Sequence, residues 1–230
     1  MIGEKAGCQL NVSAMTEPDH ECSLCPRLRS LVVDNRRLFP DWHNGPVATW
    51  YPPEGSGSVE LLIVGLAPGL RGANRTGVPF TGDHSGELLY ETLGKHGFAK
   101  TNSETLSADR PHLRATAVTN AVRCVPPGNK PIASEINTCR TFLTATIGQL
   151  QELKTIVTLG KVAHDSTIRA LGGNPSHHPF GHANETRLGG LSVFSSYHCS
   201  RYNTNTGRLT PEMFNAVFEK VALSLLAEKD

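Results

Sequence analysis

From Val59 onward, hydrophobic and polar positions fall into two alternating patterns. "VELLIVGL" is a continuous apolar run, the pattern of a strand buried on both faces. "RATAVTNAV", "KTIVTLG" and "LSVFSSYH" are three more strand-like runs. Between them lie helical patterns. "SGELLYETLGKHGF" puts Leu88, Leu89 and Leu93 on one side. "ASEINTCRTFLTATIGQLQEL" repeats Ile136, Cys139, Phe142/Leu143 and Ile147 at three- and four-residue steps, so Cys139 faces inward. "KVAHDSTIRALGG" reads as a helix stopped by glycine. A last helix starts at Thr210-Pro211-Glu212, with Thr as cap and Pro in the first turn, and buries Phe214, Val217, Phe218 and Val221.

Strands separated by helices predict an α/β fold. The expected form is a three-layer αβα sandwich around a central, mainly parallel four-stranded sheet. Residues 1–20 read as a loose N-terminal arm and 21–230 as a single domain. The Pro/Gly-rich connector "FPDWHNGPVATWYPPEGSGS" is an ordered surface loop, because Trp42, Trp50 and Tyr51 supply anchors worth burying. Sites in such folds gather outside the carboxyl ends of the strands. Three polar loops lie there: Ala67–Asp83, Asn120–Lys130 and His198–Arg208.

Composition narrows the class. Hydrophobic residues are 38% and charged residues 19%, a globular balance that argues against disorder. No apolar run reaches a membrane span, and "MIGEKAGCQLNVSAM" lacks a signal-peptide core, so the cytoplasm is the expected compartment. A formal net charge of +1 disfavours tight non-specific nucleic-acid binding but leaves room for a local basic patch. Six cysteines in a reducing compartment favour metal binding over disulfides. Cys22 and Cys25 form "CSLC", while Cys124 and Cys139 have 14 residues between them. Four such thiolates can hold zinc or a [4Fe–4S] cluster, and unrelated buried thiols are the plainer alternative. Cys8 and Cys199 have no obvious pair.

Several stretches together resemble the iron–sulfur uracil-DNA glycosylases, more narrowly their fifth family, also called type B. They are "GLAPGLRGANRTGVPFTGD", "VTNAVRCVPP", "CSLC" with Cys124 and Cys139, "PFGHA" and "HCSRYNTNTGRLTP". The resemblance spans roughly residues 20–225. It implies a [4Fe–4S] cluster on Cys22, Cys25, Cys124 and Cys139, and a DNA substrate carrying uracil, with other deaminated bases as further candidates. It also implies a monomeric, monofunctional glycosylase that leaves an abasic site. No lysine stands in the motif loops as a Schiff-base nucleophile.

Such an enzyme flips the base into a pocket and needs donors aimed at the leaving base. The resemblance gives His198 the donor role toward uracil O2. It gives Asn120 the reading of N3–H and O4, where cytosine presents the opposite pattern, and Phe80 the stacking. Plainer readings are a structural histidine, a turn asparagine and a core phenylalanine. Gly65, Ala67 and Gly69 belong to the loop whose backbone N–H groups line the pocket. Relatives in other families carry a polar or acidic residue where this chain has Leu66, so Asp83 becomes the candidate acid, with Asn74 behind it; the competing role for Asp83 is a helix N-cap. Arg71, Arg75, Arg123, Lys130, Arg201 and Arg208 form the expected phosphate patch. Tyr202 is the expected wedge in the base stack, and Asn203, Asn205 and Thr206 the backbone contacts. Cys199, where many relatives have proline, is expected to loosen its loop. Two rivals stand beside the enzyme: an iron–sulfur lesion-binding protein without turnover, and a zinc protein with an unrelated hydrolase activity.

Overall fold

The computed structural model describes residues 17–100 and 111–227. Five strands form one sheet in the order β2-β1-β3-β5-β4. They are β1 (Leu61–Gly65), β2 (Thr116–Asn120), β3 (Thr155–Leu159), β4 (Glu185–Leu188) and β5 (Leu191–Ser196). β1, β2, β3 and β5 run parallel, and β4 is antiparallel to β5. The helices are α1 (Pro26–Leu38), α2 (Ala73–Thr76), α3 (His84–Lys95), α4 (Ala133–Gln149), α5 (Lys161–Ala170), α6 (Arg201–Asn205) and α7 (Pro211–Ala227).

Period-two alternation divides β1 between two cores. Leu61 and Ile63 join Leu89 and Leu93 of α3 and Phe214, Val217 and Phe218 of α7. Leu62 and Val64 join Leu143 of α4 and Ala163 and Ile168 of α5. The sheet therefore lies between two helical layers, as the strand–helix alternation predicts. A third cluster, Leu28, Val122, Cys139 and Phe142, closes the corner between α1 and α4. The N-cap of α7 forms as expected: Met213 N donates to Thr210 Oγ1 at 3.2 Å.

The expected four strands become five. β4 is a polar edge strand, with Glu185 and Arg187 exposed, so it carries no apolar signal. Leu188 pairs with Leu191 across Gly189 and Gly190, whose φ values of 61° and 80° suit a two-residue hairpin turn. α1 is likewise an addition, burying only Leu28, Val32 and Asn35. The connector is ordered, as expected: Phe39 and Trp42 stack at 4.0 Å and Trp50 Nε1 donates to Pro111 O at 2.8 Å. Of the arm, residues 1–16, including Cys8, lie outside the described residues. Residues 17–20 are not loose, because Glu17 reaches Arg123 at 2.7 Å and His20 Nε2 bonds His43 O at 3.2 Å. No helix among the described residues is long and apolar enough to cross a membrane.

Candidate active site

Asn120 ends β2 directly opposite Gly65, the last residue of β1, and is only 2% exposed. Gly65 is required by close approach. A Cβ there would lie 2.4 Å from Asn120 Oδ1 and 2.5 Å from Phe80 Cζ. Phe80 sits in the left-handed region, with φ of 55°. That conformation is uncommon for a bulky residue and turns the ring under the strand ends. The turn is held from behind by α3: a Cβ on Gly86 would fall 1.7 Å from Phe80 O. Phe80 and His198 face one another with ring centroids 5.9 Å apart.

These side chains line one cavity of about 30 Å³, together with Ala67, Pro68, Gly69, Ala73, Asp83 and Ser85. A cleft of about 450 Å³ adjoins it and shares Ala67, Gly69, Asp83, Ser85 and His198. Asn129, Ser200, Asn203 and Arg208 also border the cleft. All three strand-end loops therefore meet at one rim.

His198 Nδ1 is buried without a hydrogen-bond partner among the described residues. Burial lowers the imidazole pKa to about 4, so the ring is neutral at physiological pH. Asp83 fills the N-cap role and also borders the cavity. Its Oδ1 caps α3, accepting from Ser85 N at 3.0 Å and Gly86 N at 3.2 Å. Its Oδ2 lies against the β1–α3 loop, where a Cβ on Gly72 would come within 2.4 Å and one on Gly69 within 3.0 Å. Burial raises the Asp83 pKa against the pull of the two backbone N–H bonds.

Several expected site residues stand elsewhere. Arg123 is 1% exposed and contributes no phosphate contact: its guanidinium donates to Glu17, Thr49 and Thr146. Asn74 is fully buried, donates to Asn44 Oδ1 at 3.0 Å and does not border the cavity. Asn203 donates to His198 O at 2.8 Å, which holds the loop. Cys199 does not loosen it either. The thiol is buried and donates to Ser85 O at 3.4 Å, which ties the His198 loop to the start of α3. Arg71, Arg75, Lys130, Arg201 and Tyr202 are exposed, Tyr202 at 73%. Sequence reasoning missed Gly160, Lys161, Phe180 and Tyr197 on the cleft wall. Gly160 follows β3 as the N-cap of α5, a turn too short to register as a loop, with φ of 94°.

Cys22, Cys25, Cys124 and Cys139 border one small cavity beside Leu28, Val122 and Phe142. Burial, then the neighbouring sulfurs, push the Cys124 thiol up to about 12, and burial pushes Cys139 up to about 11. Arg123 N donates to Cys139 Sγ at 3.2 Å. Among the described residues no three His, Cys, Asp or Glu side chains close around a single ion. Arg27 clamps this corner, donating to both oxygens of buried Glu135 at 2.8 and 2.7 Å and to Lys130 O.

An α/β sheet with a cleft at its carboxyl rim sets the fold class, and sequence similarity specifies it. Residues 52–222 match the family model of the uracil DNA glycosylase superfamily. The chain is 43% identical over 200 residues to a type-5 uracil-DNA glycosylase of Thermus thermophilus, covering 84% of this chain and 89% of the relative. It is 38% identical over 222 residues to one of Mycobacterium bovis, covering 93% and 80%. It is 35% identical over 206 residues to one of Pyrobaculum aerophilum, covering 87% and 88%. The chain belongs to the uracil-DNA glycosylase superfamily, in its type-5 family.

Proposed function

We propose that this protein removes uracil, and other deaminated bases, from DNA by hydrolysing the N-glycosidic bond and leaving an abasic site. The observation that carries the reading is the meeting of Phe80, Asn120, Asp83 and His198 around one cavity that opens into a larger cleft. The flipped pyrimidine stacks on Phe80, and the Asn120 amide pairs with its N3–H and O4. As the C1′–N1 bond breaks, the electron pair moves onto the base and charge grows at O2. Neutral His198 donates there without a competing partner. Asp83 Oδ2 stabilises the cationic sugar and orients the water that adds at C1′, taking its proton. The loop from Gly65 through Ala67 and Gly69 supplies the floor. Arg71, Arg75, Arg201 and Arg208 meet phosphates, and exposed Tyr202 fills the gap in the stack.

The four cysteines are proposed to hold a [4Fe–4S] cluster. Supporting this are their shared cavity and the N–H···S bond to Cys139. Bound there, such a group would cross-link the segment before α1 to the β2–α4 loop and to α4, and no step of base release would pass through it. A monomer in the cytoplasm completes the reading.

The test is base release from U:G and U:A duplexes by purified, iron-loaded protein. Wild type is expected to leave abasic sites. His198→Ala is expected to lose roughly a hundredfold to a thousandfold in rate, the range for removing one transition-state donor. Wild type that binds uracil-containing duplex without releasing base would instead establish a lesion-binding protein.

A further inference from the structure

The motif "PFGHA" lies in the turn before β4, and its His182 serves the site in an unexpected way. β5 ends at Ser196, but its edge remains paired. Ser195 N donates to Asn184 O at 3.0 Å, and Ala183 N donates to Ser195 O at 2.8 Å. One step further along, a side chain replaces backbone as the acceptor: Tyr197 N donates to His182 Nδ1 at 3.2 Å. An amide always donates, so Nδ1 carries no proton and the neutral ring holds it on Nε2. The Ser196 hydroxyl has a shorter acceptor in Tyr197 O at 2.9 Å, against 3.4 Å to Nδ1. The amide bond is therefore what fixes the ring nitrogen.

The ring does a second thing. It stacks on Tyr197 at 4.9 Å and 12°. Tyr197 in turn carries the Arg208 guanidinium 4.7 Å from its centroid. Tyr197, His198 and Arg208 all line the cleft. One imidazole thus holds the backbone immediately before His198 and the aromatic ring that seats Arg208.

We propose that His182 is a positioning residue for base release: its Nδ1 fixes the strand end that places His198 at the base cavity, and its ring sets the Tyr197–Arg208 pair on the cleft wall. This rests on the glycosylase reading. The test compares His182→Ala, His182→Asn and His182→Gln in single-turnover base release, in affinity for abasic duplex, and in the NMR signals of the His198 ring. Asparagine puts an acceptor oxygen where Nδ1 was, whereas glutamine puts it where Nε2 was. His182→Ala and His182→Gln are expected to fall by roughly tenfold to a hundredfold in rate, the cost of a misplaced catalytic group. His182→Asn is expected to recover to within about fivefold in rate, because it restores the amide acceptor, with abasic affinity still reduced because the stack is gone. His198 ring signals move in the alanine and glutamine variants and return in the asparagine one. Equal losses in all three variants, or unmoved His198 signals, would overturn the proposal. Wild type without turnover would defeat the glycosylase reading itself, and the His198 signals would then decide the positioning claim alone.

Discussion

The rim of the sheet and the cysteine corner use their buried polar groups differently. At the corner, charged side chains are held by partners from distant segments: Glu135 by Arg27, and the Arg123 guanidinium by Glu17, Thr49 and Thr146, although Arg123 Nε and Glu17 Oε1 stay unpaired among the described residues. At the rim, groups are left wanting. His198 Nδ1 is buried without a partner, Phe80 holds a left-handed backbone, and only a glycine at 65 lets Phe80 and Asn120 stand where they do. An unsatisfied buried polar atom costs free energy that folding must supply from elsewhere. The difference teaches where stability ends and chemistry begins: the corner holds the loops in place, and the rim keeps its donors free for a base.

That contrast can be broken at either end. Gly65→Ala places a methyl inside the contact distances of both Asn120 and Phe80. Base release is expected to fall roughly a thousandfold with abasic-duplex affinity retained, as a shift of about 1 Å or more spoils the pocket. Single-turnover assays and a binding titration check this. Arg123→Met should do the reverse. Denaturant unfolding is expected to show a loss of about 3 kcal/mol, since Glu17 and two threonine hydroxyls lose their donor, while base release per folded molecule stays near wild type.

Two smaller effects sharpen the comparison. Burial holds the His198 pKa at about 4, below an unfolded value of about 6.5. The unfolded chain therefore binds the proton first. The stability that neutral His198 allows is complete above pH 6.5 and is lost as pH falls toward 4. The ceiling is about 3 kcal/mol, and the solvent-facing edge of the ring reduces it to about 2. Between pH 7 and pH 4 the unfolding free energy of wild type should fall by that amount relative to that of His198→Phe. Least affected is Tyr202→Ala: the side chain is exposed, so stability is unchanged, and affinity for abasic duplex should drop by roughly tenfold, the worth of one stacking contact.

The parts of this architecture legible in the sequence are those set by local pattern. β1 is a run of apolar residues, α7 announces itself at Thr210-Pro211, and Asn120 stands at a strand's carboxyl end where the topology puts a site. The parts that were not legible depend on partners far away in the chain or on faces turned to water. β4 shows solvent Glu185 and Arg187. Arg123 reads as one more loop cation until Glu17, 106 residues away, closes on it. Cys199 reads as a departure that loosens a loop, yet its thiol finds Ser85 O, 114 residues off. His182 gives no sign that its ring nitrogen stands in for a backbone carbonyl. Loop charges and lone polar residues carry no address; their partners do.

The account turns on Phe80, Asn120 and His198 gripping a single pyrimidine, and a crystal structure of the protein soaked with free uracil tests that most directly. The expected density is a ring stacked on Phe80, with the Asn120 amide at N3 and O4 and a His198 nitrogen at O2. Uracil bound away from these three residues, or a cavity that stays closed to it at saturating concentration, would contradict the account.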